Sequence, residues 1–315
     1  MRRNLIIVRA GDRSIHPGWI DPGSHRDFDL LVSYYGNTAD QFRAGSEHYD
    51  AETGPRWPAH ARICREQWAI LERYEHIAFA CDDLEAPQGT WNALFRTCRR
   101  YGLDLAQPAI EGHPTHRITQ PQRDCILRYT NFVEIMCPVF CQASLQKLRG
   151  TFGESISGWG LDFLWGSLLP YPQFKIAIID SVRVRHTRPK GGAALKPALA
   201  ALGVEPGAEL ERVRIAHGLG NAEPMELGRV PAGPVQRLLS RLRNGKAVLS
   251  PAQAGKTKFA HATVPVVVLG RSRTNDALRG RQRNTRIAAL DKIGHHATRS
   301  AGECPAKMAM AGIDP

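Results

Sequence analysis

Aromatic residues all but vanish from the C-terminal part of this 315-residue chain: after Phe174 only Phe259 remains. A segment so poor in large apolar side chains buries too little surface to offset the entropy of ordering it. Residues 221–315 therefore read as a loose, partly disordered basic tail. Also lacking is any apolar run near the ~20 residues a membrane helix needs. The opening M-R-R-N-L-I-I-V-R-A-G has an apolar core shorter than the roughly 7 to 15 residues of a signal peptide. Its Leu5 to Val8 reads instead as a first strand. No C-x-x-C pair occurs among the seven cysteines, which fits a reducing cytoplasm better than a disulfide framework. Cys137 and Cys141 flank Pro138 and read as packing rather than metal ligands. No internal repeat is present.

What the chain does have is an uneven excess of positive charge. Its formal net charge is +12, yet residues 1–190 hold 23 Lys and Arg against 21 Asp and Glu, while residues 191–315 hold 19 against 9. The basic character therefore belongs to the C-terminal part. There Val235 to Arg243 (V-Q-R-L-L-S-R-L-R) has a short basic amphipathic pattern that would suit an acidic membrane surface or nucleic acid. A solvated basic tail is the favoured reading, and the aromatic interleaving of a single-strand binder is missing.

The N-terminal part alternates short apolar runs with helical patterns. Asp29 to Tyr35 reads as a second strand, closed by Gly36-Asn37. The breaker-rich stretch around His16-Pro17-Gly18-Trp19 allows at most a short helical turn. Ala61, Cys64, Trp68 and Leu71 recur at helical spacing and lead into a strand over His76 to Cys81. Thr90 is placed to cap a helix that buries Trp91, Leu94, Phe95 and Cys98 and stops at Gly102. Leu105 to Ile110 is another short strand. Glu111 to Arg128 reads as a polar loop, Asn131 to Phe140 as a strand carrying one acid, and Gln142 to Arg149 as a short helix. Lys175 to Asp180 and Val182 to His186 are two strands or one bent ribbon. Beyond them Ala194 to Leu202 and Ala208 to His217 have helical periodicity. This order predicts a three-layer α/β/α domain with a mostly parallel central sheet over residues 1–190, a small helical extension over 191–220, and the tail.

In such a sheet, ligands bind outside the carboxyl ends of the strands. The run H-I-A-F-A-C-D-D-L-E delivers Asp82 and Asp83 to that edge. Two adjacent carboxylates suit a hard divalent cation such as Mn²⁺ or Mg²⁺, or else a solvated loop that helps cap the next helix. Asp162 follows Gly158 and Gly160 at a helix start, where a carboxylate is favoured by the dipole and where glycines let a ligand approach. It is either a helix-stabilising acid or a base for a substrate hydroxyl. His186 sits among Arg183, Arg185 and Arg188, cations that suit a diphosphate. Its imidazole is either a surface residue or a metal ligand. Glu134, within an apolar run, is a substrate-facing acid or a buried one that needs a partner such as Arg117, Arg123 or Arg128.

Taken together, the motifs Y-E-H-I-A-F-A-C-D-D-L, G-L-D-L-A-Q-P-A-I, F-V-E-I-M-C-P-V-F, G-W-G-L-D-F and I-A-I-I-D-S-V-R-V-R-H resemble, in order, a plant and bacterial family labelled lysine-ketoglutarate reductase trans-splicing related. That family is similar to the nucleotide-diphospho-sugar transferases of the GT-A fold. The resemblance spans roughly residues 4–190. It implies metal-dependent transfer of a sugar from a nucleotide-diphosphate sugar to a glycan or other hydroxyl acceptor. Asp83 matches the last acid of a D-x-D element that binds Mn²⁺ or Mg²⁺, and His186 matches the late histidine of that metal site. Cys81 replaces the first acid, a role Asp82 could take over. Asp162 matches the acid that meets the acceptor, with Glu134 a second candidate. Arg9, Gly11 and Asp12 would lie near the nucleotide base, with Asp82 and Arg188 at the ribose and diphosphate. Because Cys81 breaks the motif, a non-catalytic glycan- or nucleotide-binding module on the same scaffold is the alternative.

Overall fold

The computed structural model describes residues 1–189 and 195–234. Its strands are β1 (Asn4–Ala10), β2 (Phe28–Tyr34), β3 (His48–Ala51), β4 (His76–Cys81), β5 (Leu84–Glu85), β6 (Leu105–Gly112), β7 (Cys125–Thr130), β8 (Val139–Cys141), β9 (Ile176–His186) and β10 (Glu226–Pro231). The helices are α1 (Arg56–Glu66), α2 (Trp68–Leu71), α3 (Gln88–Tyr101), α4 (Gln142–Leu148), α5 (Leu161–Leu168), α6 (Leu195–Ala201) and α7 (Pro206–His217).

All ten strands join one sheet, ordered β10-β7-β9-β6-β8-β4-β1-β2-β3, with β5 paired to the end of β9. The pairings make β1, β2, β3, β4, β6, β9 and β10 run one way and β5, β7 and β8 the other. The central sheet is thus mostly parallel, as expected.

The period-two alternation of β1, β2 and β4 sends neighbouring side chains to opposite faces. Ile6, Val8, Leu30, Val32, Ala78 and Ala80 join one core, where α3 contributes Trp91, Leu94, Phe95 and Cys98. Leu5, Ile7, Leu31, Ile77 and Phe79 join the other, against Trp57 and Ile63 of α1, Leu145 and Leu148 of α4, and Leu161 and Trp165 of α5. Both faces of these strands are covered, which is why they read as continuous apolar runs. Each fully buried aliphatic or aromatic side chain contributes about 1.5–3 kcal/mol.

Several local expectations change. Asn131 to Phe140 is not a strand: only Val139–Cys141 pairs regularly, and the strand lies earlier, at Cys125–Thr130, starting within the loop expected over Glu111 to Arg128 and running two residues past it. Pro138 removes a ladder donor, and the chain before it runs irregularly beside β4, with Phe79 N–H donating to the Pro138 carbonyl (2.9 Å) and Cys81 N–H to that of Met136 (3.0 Å). Thr90 does not cap α3. The helix starts at Gln88 behind Pro87, and Thr90 lies in its first turn. Its other end is as expected, at Gly102 with φ 57°. The apolar stripe Ala61–Leu71 is split by Gln67 into α1 and α2. Lys175 to His186 forms one strand with an irregularity opposite Pro108 and Ala109. Cys141 accepts the Ser144 N–H at the start of α4, and Cys137 is fully buried.

The sheet also takes in Glu226–Pro231, antiparallel to β7, so ordered structure runs past the boundary expected at residue 220. The amphipathic stretch Val235 to Arg243 and the rest of the tail lie outside the described residues. Among the described residues no helix is long and apolar enough to cross a membrane, and the six cysteines there are all free.

The expected partnership of Arg128 with Glu134 is not formed. Arg128 instead grips Asp180 with two 2.9 Å hydrogen bonds, their side chains 2% and 0% exposed. The Gln122 N–H adds a third bond to the same carboxylate at 2.7 Å. Removing one partner of such a pair strands a buried charge, at a cost of about 3–5 kcal/mol. Arg128→Met should therefore lower unfolding stability by that amount in urea titrations at neutral pH. Adding Asp180→Leu should restore most of the loss.

Candidate functional site

The parallel strands β1, β2, β4, β6 and β9 end at one edge of the sheet. Asp82 and Asp83 occupy the two-residue turn between β4 and β5. Because β5 pairs with β9 in the register Leu84 to His186, the end of β9 closes over the turn. The Thr187 N–H and hydroxyl both donate to the Asp83 carbonyl, at 3.1 and 2.9 Å.

The two carboxylates are buried and differently used. Asp82 accepts the Gly11 N–H at 3.1 Å on one oxygen and the Arg188 guanidinium at 3.1 Å on the other. Burial raises its pKa, against the pull of those two donors. Asp83 meets His186 Nε2 at 3.0 Å through Oδ2. Its Oδ1 is buried without a hydrogen-bond partner among the described residues. Burial opposes ionisation of Asp83, but the hydrogen bond and charge of His186 outweigh it and the pKa falls. For His186, burial works against the charged form and Asp83 more than restores it, so its pKa rises. The other ring nitrogen, Nδ1, lies 2.9 Å from the His113 carbonyl. With acceptors on both sides, the ring is fully satisfied as an imidazolium donating twice.

The residues expected on the nucleotide side are arranged as follows. Arg9 is buried and spans to Ser33 Oγ (2.8 Å) and to the carbonyls of Glu52 (2.6 Å) and Gly54 (2.9 Å). It ties β1 to the loop after β3, and burial lowers its pKa. Asp12 accepts the Tyr34 hydroxyl and the Asn37 N–H (3.1 Å), holding the turn after β2. Arg188 bridges the edge, donating to Asp82 and, at 2.7 Å, to the Arg13 carbonyl. A Cβ on Gly11 would stand 2.8 Å from the Tyr35 hydroxyl, so only glycine leaves that ring its place.

Glu134 and Asp162 stand near one another, and the charge of Glu134 acts on both Asp162 and His186. Glu134, 1% exposed, accepts the Thr115 N–H at 3.1 Å and the Thr119 hydroxyl at 3.2 Å. Its partners are thus hydroxyl and backbone rather than an arginine. Asp162 opens α5 after Gly160, whose φ is 97°, and accepts the Phe163 N–H at 3.1 Å. Burial first, and then the charge of Glu134, push its pKa up to about 7.

The edge thus carries a carboxylate–imidazole pair, Asp83 and His186, and a guanidinium, Arg188, with Asp162 a further buried acid of raised pKa. Residues outside the sequence expectation complete it. Arg56 donates to Cys81 Sγ (2.8 Å) and the Phe79 carbonyl (2.9 Å), fixing the end of β4 from behind. Burial pushes the Cys81 thiol up to about 12. Tyr35 stands over Arg9, 5.1 Å from ring centre to guanidinium. His113 and His116 come from the loop after β6. The H-P-T-H-R stretch, with two imidazoles in four residues, was the available signal for them.

No protein-family model matches the chain, and no curated protein matches it. Among solved structures it is similar to S. aureus TarS 1–349. For the complex with UDP-GlcNAc the identity is 11%, covering 69% of this chain and 73% of that one, at a TM-score of 0.40. For TarS 1–349 itself the identity is 11%, covering 70% and 74%, at a TM-score of 0.41. A likeness of that size transfers no residue role. The α/β assignment stands on this chain's own sheet order and registers.

The raised pKa of Asp162 makes a pH prediction with a definite sign. Its folded value lies above the unfolded value of about 3.9, so ionisation is penalised only in the folded protein. Stability from this group is full below pH ~4, falls as pH rises towards about 7, and is flat beyond. Relative to wild type, Asp162→Asn should gain stability across that window, by up to about 4 kcal/mol. Urea unfolding of both proteins from pH 4 to 8 measures it.

Proposed function

We propose that this protein is a metal-dependent glycosyltransferase of GT-A type, taking a sugar from a nucleotide-diphosphate donor to a hydroxyl acceptor in the cytoplasm. One observation carries the reading: the unpartnered, buried Asp83 Oδ1 beside His186, at the sheet edge where such substrates bind. The donor set fits a hard divalent ion in kind. A carboxylate oxygen and an imidazole nitrogen 3.0 Å apart converge, and the His113 carbonyl can keep the Nδ1 proton, so that Nε2, once it gives up its own proton, is left as a ligand. Among the described residues no group of three or more His, Cys, Asp or Glu side chains gathers as a metal site. Asp83 and His186 would therefore hold Mn²⁺ or Mg²⁺ as a pair, with Asp82 the nearest further carboxylate. The ion, when bound, would neutralise charge on the diphosphate leaving group.

The remaining roles belong to the chain's own groups. Arg188, already at the edge, offers a second cation to the diphosphate. Arg9, Gly11 and Asp12 shape the base side, with the Tyr35 ring beside them. Asp162, poised near neutral pH, accepts the proton of the acceptor hydroxyl. A single base of this kind suits direct displacement with inversion. For Glu134 we propose a positioning role.

A second reading, a module that holds a nucleotide or glycan without turnover, is favoured by Cys81 in the first acidic position and by the full engagement of Asp82 with Gly11 and Arg188. Calorimetry against a panel of nucleotide-diphosphate sugars, with and without Mn²⁺, tests the first reading. At least one donor should bind ten-fold or more tightly with metal, and Asp83→Asn or His186→Gln should abolish the metal effect. Binding with no metal dependence and no turnover would favour the second. Cys81→Asp should then raise metal affinity sharply, whereas in a working enzyme it should change little.

A further inference from the structure

The loop after β6 touches both halves of the site, and a single buried carboxylate holds it there. Glu134 takes the Thr115 N–H on one oxygen and the Thr119 hydroxyl on the other. Its own N–H is held by the Gln107 side chain of β6. The single proton of the Thr119 hydroxyl is shared between Glu134 and the His116 carbonyl, the latter at 2.8 Å, across a short helical turn. Two histidines are positioned by this arrangement. The His113 carbonyl meets His186 Nδ1, on the side of Asp83. His116 points the other way, with Nε2 3.9 Å from Asp162 Oδ2. Its ring is wedged edge-on against Phe132 at 4.7 Å and Phe163 at 6.1 Å between centroids.

The 3.9 Å gap is too long for a direct hydrogen bond, but one oxygen set off the line between the two groups can lie about 2.8 Å from each. We propose that His116 is a second catalytic residue, which with Asp162 brackets the acceptor hydroxyl, and that Glu134 is the positioning residue that fixes His116 and His186 through one loop. This rests on the transfer reading above.

The step balances without further reagents. The hydroxyl proton passes to Asp162 as its oxygen bonds the anomeric carbon. The bond from that carbon to the diphosphate oxygen breaks, and the electron pair leaves with the diphosphate. His116 holds the oxygen on its attack line. The acceptor is thereby defined as a hydroxyl whose neighbours tolerate the half-buried Phe163 ring, as the apolar face of a sugar ring does. Of the neighbouring charged groups, Glu134 acts on Asp162, and the Arg214 guanidinium lies 5.0 Å over the adjoining Phe163 ring.

Two measurements on the full-length chain decide the matter. First, imidazole resonances of His116 are titrated by NMR in wild type and Asp162→Asn. Loss of the facing carboxylate should lower the His116 pKa by about half a unit or more, and an unmoved titration overturns the pairing. Second, His116→Gln and His116→Ala are compared with wild type in donor binding and in transfer. Transfer should fall by about 100-fold with the loss in kcat and acceptor KM rather than donor affinity. Added imidazole should restore part of it in His116→Ala, which a packing defect would not allow. Transfer at the wild-type rate, or a loss confined to donor affinity, overturns the proposal for His116 alone. Failure of wild type to bind any donor sinks the transfer reading itself and this step with it.

Discussion

Two adjacent carboxylates buried at a strand end must be neutralised locally, and that requirement organises this edge of the sheet. Burial alone pushes both acids towards their protonated forms. The counter-charges come from the end of β9, roughly a hundred residues away in sequence, and β5 is the device that delivers them. Its short antiparallel pairing with β9 places His186 on Asp83, and two residues later Arg188 reaches Asp82. The two acids thereby part company. Asp82 is spent on Gly11 and Arg188 and stitches β1 to β4, while Asp83 keeps one oxygen free of any hydrogen bond among the described residues.

Around that pair, each group of the proposed site is held by a neighbour outside it. Arg56 fixes the end of β4 through Cys81 and backbone carbonyls. Glu134 fixes the loop carrying His113 and His116. Glu209 of α7 accepts the Ile156 and Ser157 N–H groups at 2.8 and 2.7 Å, steadying the turn that leads to Asp162. Val213 of the same helix fills the space that a side chain on Gly160 would need. Such supporting contacts are what keep a catalytic geometry within the tolerance chemistry demands.

The sequence made β1, β2 and β4 legible because strands buried on both faces are unbroken apolar runs, and α3 because its apolar residues recur at helical spacing before a glycine stop. It was misleading between residues 111 and 141. There an apolar run containing Glu134 and Pro138 mimics a strand, while the true strand, C-I-L-R-Y-T, hides Arg128 in its middle because Asp180 is there to receive it. The acids Asp82, Asp83 and Asp162 could be picked out by their place at strand and helix ends. His116 could be marked only as one of two imidazoles in the H-P-T-H-R stretch, since a polar loop does not show where tertiary structure will take its side chains. The partner of Glu134 was missed for the same reason: a hydroxyl and a backbone N–H satisfy a buried carboxylate as well as an arginine does, and neither announces itself in a sequence.

The central claim is that Asp83 and His186 together receive a divalent ion in the company of a nucleotide diphosphate. Pulsed electron paramagnetic resonance of Mn²⁺ added to the protein with a nucleotide diphosphate tests this at the atom concerned. The account predicts nitrogen modulation from one directly bound imidazole, present in wild type and gone in His186→Gln. A Mn²⁺ signal that carries no histidine nitrogen coupling in wild type, or one unchanged by the substitution, would contradict it.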